Sequence, residues 1–280
     1  MNPTEMTFGV EIETLAPQTA IDQHGLQIGS YKHGVQVPYL PAGWKAEKDG
    51  SITGQGHACE IVSPVLQGAE GLALVAEVLA VLVAKGHTVN MSCGIHIHIG
   101  WKYQPAMALA RLVTITSYCE KGLYAITGTK RREAGRYAKA IRKYGKFEEA
   151  KRTMDSDRYH LLNLQNLGNY GGKQTVEFRV FSGSLKAVKV LGWIQVCMGI
   201  CQKATTAKKS PSWVPGEIKA GSLKRDGEGA TECERLMNYL AWWKVEGGFG
   251  WINNPAVTRK AVMVEFRRLA AQYDAMPQEA

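Results

Sequence analysis

The sequence predicts an α+β protein, with antiparallel strand pairs and helices interspersed, and three short segments carry most of that prediction. Phe8-Gly-Val-Glu-Ile-Glu13, Gly94-Ile-His-Ile-His-Ile-Gly100 and Thr175-Val-Glu-Phe-Arg-Val-Phe181 each hold acidic, imidazole or guanidinium groups at alternate positions. Alternation is the strand period, so Glu11 and Glu13 share a face, His96 and His98 share a face, and Glu177 sits beside Arg179. The positions between them are Val, Ile or Phe. Such strands build a sheet with one apolar face and one face that lines a functional cavity. Carboxylates converging there repel one another unless cations neutralise them, which predicts a metal site.

The remaining elements follow from punctuation and period. Residues 16–43 are rich in Gly, Pro and Gln, which predicts loops with a short hairpin. Trp44 to Ile52 reads as a strand broken by the turn at Asp49-Gly50, and Cys59 to Pro64 as a strand stopped by its proline. An apolar helix over 69–85 closes at Gly86, and Pro105 opens another that runs to about Gly122. The basic stretch from Lys130 to Arg158 has weak apolar periodicity and reads as a helical pair or flap. Tyr159 to Leu167, a Gly-rich turn and Thr175 to Ser182 read as a hairpin. Helices are expected over 185–206, 230–246 and 256–273, with a polar linker over 208–229. The resulting division is a domain over 1–206 that holds all three segments and, over 207–280, a linker with a C-terminal helical extension packed on the same domain.

At 280 residues, 45% apolar and 21% charged, the chain has the composition of a globular protein with a sizeable core. The net charge of +9 favours anionic partners. No leader pattern and no membrane-spanning stretch is evident, so a cytoplasmic protein without a membrane partner is expected. The six scattered cysteines fit reduced thiols better than a disulfide framework.

Each polar group also has a plainer reading. Glu11 and Glu13 could lie exposed on an edge strand, although the apolar residues around them make that awkward. His96 and His98 have the spacing of a ligand pair, as in cupins and zinc hydrolases, but no glutamate follows as a cupin requires. Glu177 and Arg179 could form a simple ion pair, yet an arginine on a cavity-facing strand also suits a transferring phosphoryl group. Glu60 has no distinction alone, and Asp49 reads first as a turn residue.

Taken in order, Phe-Gly-Val-Glu-Ile-Glu, Trp-x-x-Glu-x-Asp-Gly-Ser-Ile, Glu-Ile-Val-Ser-Pro, Cys-Gly-Ile-His-Ile-His-Ile-Gly, Asn-Leu-x-x-Leu and Thr-Val-Glu-Phe-Arg-Val-Phe-Ser-Gly-Ser-Leu resemble the amidoligase family. That family belongs to the glutamine synthetase and glutamate–cysteine ligase superfamily of carboxylate–amine ligases. The resemblance spans residue 7 to about residue 195. It implies a glutamine synthetase-like catalytic fold, with a curved antiparallel sheet forming an open funnel and helices packed outside. It also implies ATP, two or three Mg²⁺ or Mn²⁺ ions, and amide formation between a carboxylate and an amine through an acyl phosphate. The substrates could be small molecules, peptides or proteins. By analogy Glu11 and Glu13 divide between metal sites, Glu60 joins one, and His96 and Glu177 complete the other. Arg179 contacts the transferring phosphate and His98 lies near the nucleotide phosphates. Arg158 and the basic run Lys130–Arg152 are phosphate-binding candidates that no motif assigns singly.

Two other readings stand beside the ligase. A zinc hydrolase would use Cys93, His96 and His98 with Glu60. A basic nucleic-acid-binding module would use Lys130 to Arg158 with the interleaved Tyr137, Tyr144 and Phe147, which explains the charge but not the Glu and His strands.

Overall fold

The computed structural model describes residues 1–141, 143–144, 147–168, 173–208, 231–242 and 257–277. The N-terminal half runs β1 (Thr7–Ala16), α1 (Gln18–Asp22), β2 (Val35–Gln36), β3 (Lys45–Glu47), β4 (His57–Val62), β5 (Leu66–Gln67), α2 (Gly68–Ala84), β6 (Gly94–Gly100) and α3 (Ala106–Ala125). There follow α4 (Arg131–Ala134), α5 (Phe147–Ser156), β7 (Leu162–Asn163), α6 (Gln165–Gly168), β8 (Thr175–Ser182), α7 (Ala187–Thr206), α8 (Glu232–Tyr239) and α9 (Arg259–Ala275). The strands form one sheet in the order β2-β3-β4-β1-β6-β8-β7, with β5 paired to the start of β1. Every one of these pairings is antiparallel. The α+β class is thus what the alternating segments predict.

One face of the sheet is the core. Phe8, Val10 and Ile12 of β1, Ile95, Ile97 and Ile99 of β6, and Val176, Phe178 and Val180 of β8 are all buried. Helix α2 buries Leu72, Val75, Val78, Leu79 and Leu82, an apolar stripe at helical spacing. Helix α7 packs on β6, and α3 packs on β8 and α7. Helices α8 and α9 lie against α3 and α7, and two glycines permit that approach. A Cβ at Gly122 would stand 2.8 Å from Leu236, and one at Gly192 would stand 2.7 Å from Phe266 and Val262. Among the described residues no helix is long and apolar enough to cross a membrane. All six cysteines are buried and free.

A register shift between β6 and β8 has no sequence signature. Ile97 pairs with Phe178 but Ile95 pairs with Phe181, so β8 holds one extra residue opposite His96. Strict alternation would put Phe181 on the polar face with Glu177 and Arg179. The bulge returns it to the core, where its ring stacks on Trp193 at 5.0 Å.

The expected hairpin is present but its first strand is short. β7 pairs Leu162 with Phe178 and Asn163 with Glu177, then the chain turns into α6. Asn163 causes the turn: its Oδ1 accepts from the Gln165 backbone at 3.0 Å, starting the helix. Residues 169–172 of the expected turn, and 209–229 of the expected linker, lie outside the described residues. The helix expected over 230–246 is described as α8 alone; its Thr231–Glu234 capping box marks the start. In the basic stretch, α4 and α5 are the expected helical pair, and Ala138 and Ile141 between them are tied to α3. The Ile141 amide donates to Glu120 at 2.7 Å, and Tyr124 donates to the Ala138 carbonyl at 2.5 Å.

A buried histidine beside β1 gives the fold an acid limit. His87 contacts Thr14 Oγ1 through Nδ1 at 3.1 Å and Tyr39 Oη through Nε2 at 2.8 Å. Burial pushes its pKa down to about 4 from an ordinary 6.5. The unfolded chain therefore binds the extra proton first. Stability is complete above pH 6.5 and falls between pH 6.5 and 4, by about 3 kcal/mol in total. Urea midpoints measured from pH 7 to pH 4 should show this loss, and His87→Gln should flatten it.

Candidate active site

The opposite face of the sheet carries the polar residues, and cross-strand pairing brings them together. Glu11 of β1 lies opposite His96 of β6, Glu13 opposite Glu60 of β4, and His98 opposite Glu177 of β8. His96 sits among four carboxylates. Its Nδ1 is 3.2 Å from Glu11, 3.5 Å from Glu60 and 3.7 Å from Glu177, and its Nε2 is 3.4 Å from Glu13. His98 Nε2 stands 3.0 Å from Glu11, and its Nδ1 stands 3.2 Å from Thr175 Oγ1. Arg179 Nη1 pairs with Glu177 Oε1, while Asn163 Nδ2 donates to Glu177 Oε2 at 2.6 Å. The Gly94 amide donates to Glu13 at 2.5 Å.

The site is buried, and that sets its charges. Glu11 is the most open of its carboxylates, with a side chain 13% exposed; Glu13, Glu60 and Glu177 are at 7% or below. Burial disfavours the Glu11 carboxylate, but the charges and hydrogen bonds of His98 and His96 hold its pKa well below the usual value. Glu177 is also lowered: burial opposes its charge, and His98 and Arg179 outweigh burial. Glu60 goes the other way, to about 7, because burial is joined by the charges of Glu11 and Glu13. Burial and Arg179 oppose the His96 imidazolium, yet its bonds to Glu11 and Glu60 and the Glu13 charge raise it to about 9. The carboxylates thus raise the pKa of both imidazoles against burial, Glu11 and Glu177 acting on His98 as the neighbouring carboxylates do on His96.

Three groups of these side chains have ligand atoms close enough to hold a divalent ion: Glu11, His98 and Glu177; Glu11, Glu60 and His96; and Glu13, Asp49 and Glu60. The groups share members and so form one continuous acidic tract. Carboxylate oxygens with one imidazole per site suit a hard or borderline cation such as Mg²⁺ or Mn²⁺. Among the described residues the buried Arg179 Nε has no hydrogen-bond partner, a donor left over for a ligand.

All seven residues of the three strand motifs and β4 (Glu11, Glu13, Glu60, His96, His98, Glu177 and Arg179) meet here. The grouping differs from the analogy in one respect. His98 shares a cation group with Glu177, whereas His96 shares one with Glu60. Asp49 makes its turn by accepting from the Ser51 amide and hydroxyl at 2.6 Å, and also joins Glu13 and Glu60. Arg158 lies outside the cation groups, bonded to Tyr31 at 2.7 Å. Cys93 enters none of the three groups, and its thiol faces Asn90 Oδ1 at 3.7 Å, so the Cys-His-His zinc set is not assembled.

Three contributors have no role of their own in the sequence reading: Asn163 enters only as the first residue of Asn-Leu-x-x-Leu, Arg132 only within the basic run, and Lys173 only at the end of the Gly-rich turn. Asn163 holds Glu177, as above. Lys173 Nζ reaches Glu11 Oε1 at 3.0 Å. Arg132 of α4 donates from Nε to the Phe181 carbonyl at 3.0 Å. Burial disfavours its charge and Glu13 favours it. Gly94 makes room for it, since a Cβ there would stand 2.0 Å from Arg132 Nη2. That glycine, just before the His-x-His pair, was the available signal.

Among solved structures the chain is similar to a bifunctional glutathione synthetase from Pasteurella multocida, at 12% identity and TM-score 0.45, covering 98% of this chain and 45% of that one. It is also similar to a chain of the complex between the prokaryotic ubiquitin-like protein Pup and its ligase PafA, at 9% and 0.41, covering 99% and 60%. A third is GmaS without ligand, at 11% and 0.40, covering 96% and 66%. The chain therefore spans less than two thirds of the length of each. No curated protein sequence matches it. A family described as "Putative amidoligase enzyme" matches residues 4–148 and 139–201, which together exceed half of the chain. The chain belongs to this amidoligase family.

Proposed function

We propose that the protein is an ATP-dependent carboxylate–amine ligase that works through an acyl phosphate. One observation carries the reading: overlapping Glu/His cation groups share a buried sheet face with an arginine whose Nε is unpartnered. A carboxylate is a poor acylating agent because oxide is a poor leaving group. In the proposed sequence the substrate carboxylate oxygen attacks the γ-phosphorus of ATP and ADP departs. The amine nitrogen then attacks the acyl carbon, phosphate leaves and the amine loses a proton.

Phosphoryl transfer is chiefly positioning and charge compensation. Glu11, Glu13, Glu60, His96, His98 and Glu177 would hold two or three Mg²⁺ or Mn²⁺ ions, with Asp49 as a further ligand. Ions held by these residues would supply charge neutralisation for the phosphates and polarisation of the transferring group. Arg179 would stabilise the transferring phosphoryl oxygens, with Glu177 fixing its guanidinium plane. His98 beside Glu11 stands where it can serve the nucleotide phosphates as well as an ion. Arg158, at the rim, is the remaining candidate for phosphate contact. Residues 1–206 would form the catalytic unit, with the C-terminal helices as an extension of it.

The test is release of ADP and phosphate that requires both an added carboxylate and an added amine. Turnover of ATP indifferent to every carboxylate and amine screened would count against it. Arg132 makes a second prediction. Gly94→Ala should push Arg132 aside with little loss of stability and reduce kcat/KM about tenfold, of the order of one lost hydrogen bond to a charged group. Arg132→Ala should do the same. In a double-mutant cycle the two losses should fail to add.

A further inference from the structure

Lys130 to Arg158 holds eleven of the chain's 34 basic residues against five carboxylates, and the ligase chemistry uses little of that charge. Part of it is organised together with aromatic rings in a row that includes Arg158, which feels the charge of Glu177. The Tyr31 turn stands at one end of the strand order. The Gly29 amide is bonded to Ala46 at 3.0 Å and the Lys48 amide to Gly29 at 2.9 Å, and the His33 amide closes the turn on Ser30 at 2.9 Å. Tyr31 and Lys32 form its tip, with Lys32 in the left-handed region at φ 63°. Arg158 stands at the other end, a few residues before β7.

These two ends meet where Arg158 Nη1 donates to Tyr31 Oη at 2.7 Å. From there contacts run on without a break. The Arg158 guanidinium lies 5.8 Å from the Tyr159 ring centre, Tyr159 meets Tyr137 edge-on at 5.4 Å, and Arg136 lies 4.8 Å over Tyr137 and bonds its hydroxyl at 2.6 Å. Lys32 caps the row, 5.3 Å over Tyr31. Tyr31 and Tyr159 are 48% and 40% exposed. Among the described residues no carboxylate pairs with Lys32, Arg136 or Arg158; the adjacent Asp157 is held by Lys139 at 2.8 Å. Burial disfavours the Arg158 charge, but the Tyr31 hydroxyl and Glu177 outweigh it, so the row ends close to the reacting face.

We infer that this row, Tyr31, Lys32, Arg136, Tyr137, Arg158 and Tyr159, is a docking surface for single-stranded nucleic acid beside the acidic site. The chemistry is that of strand binding in general: cations without a carboxylate partner for phosphates, interleaved with aromatic rings on which bases stack, two of them exposed and Tyr137 half-buried. An acidic peptide would use the cations but has no use for three tyrosine rings, and a duplex hides its bases. The inference shares only Arg158 with the ligase reading, and the row contains none of the cation ligands.

Fluorescence anisotropy of the full chain with labelled single-stranded RNA and DNA of roughly twelve nucleotides, within the span of known strand-binding sites, tests it without ATP or metal. Binding should weaken steeply with salt. The Tyr137→Leu/Tyr159→Leu protein keeps every charge and should lose about tenfold or more in affinity. The Arg136→Gln/Arg158→Gln protein keeps every ring and should bind more weakly with a shallower salt slope. Circular dichroism and melting identify any variant that fails to fold, and the other pair then carries the comparison. Polyglutamate of equal charge or a duplex competing as well as the single strand would overturn the proposal. So would a folded tyrosine variant that binds like wild type, or no binding by the wild type. ADP release plays no part in this readout, so its failure bears only on the ligase.

Discussion

Glu11→Gln should abolish ligase turnover and weaken Mn²⁺ binding by at least about a hundredfold, more than the loss typical of a group outside the coordination sphere. Glu11, like Glu60, belongs to two of the three cation groups, and it alone joins the His98 group to the His96 group. One oxygen faces His98 and Lys173, each at 3.0 Å, and the other faces His96 at 3.2 Å. Glutamine preserves the shape and one acceptor but removes the charge on which both groups depend. The fold should survive. Without Glu11 the imidazoles lose a counter-charge, and burial, which already opposes their protonation, then drives them towards neutrality. Neutral buried imidazoles with hydrogen-bond partners are tolerable, so the melting temperature should shift little. Calorimetric Mn²⁺ titration beside thermal melts separates the two effects. A variant that melts normally and still binds Mn²⁺ with wild-type affinity would place the cation elsewhere.

Arg179→Ala should lower kcat about a thousandfold, the lower range for an arginine that stabilises phosphoryl transfer. Its Nη1 is committed to Glu177 while its buried Nε has no partner, so the side chain is held with a donor to spare. A group needed mainly as charge develops is lost from kcat more than from ground-state affinity, so the Kd for ATP should change far less. Arg179→Lys should rescue poorly, because an ammonium cannot bond Glu177 and an oxyanion in the same plane. Steady-state kinetics with parallel ATP titrations reads this split. Equal losses in affinity and kcat would make Arg179 a simple binding residue.

The parts of the site visible in the sequence are those encoded by local alternation. Glu11 with Glu13, His96 with His98 and Glu177 with Arg179 each declare a shared face within three residues. Their meeting follows because the three strands are neighbours in one sheet. Glu60 needed the family resemblance, since the positions two away on its strand, Ala58 and Val62, are apolar. What remained hidden comes from contacts between residues distant in sequence. Lys173 reaches Glu11 across 162 positions, and Arg132 reaches the Phe181 carbonyl across 49. Asn163 sat in a plausible strand pattern, and its side chain's habit of capping the next turn ended that strand early. The bulge opposite His96 was hidden because Phe181 is as apolar as any core residue, and only the pairing tells which face it takes. In the basic stretch, composition exposed the charge. Only the fold brought Tyr31, from the other end of the sheet, into contact with Arg158.

The most direct test of the central claim is calorimetric titration of ATP into the protein with Mg²⁺ or Mn²⁺, comparing wild type with Glu177→Ala. The account predicts saturable binding that requires the metal and is lost in the variant, because Glu177 belongs to a cation group and positions Arg179. ATP binding that ignores metal, or that is the same in both proteins, would contradict a nucleotide site on this face. Absence of binding by the wild type would contradict the ligase reading itself.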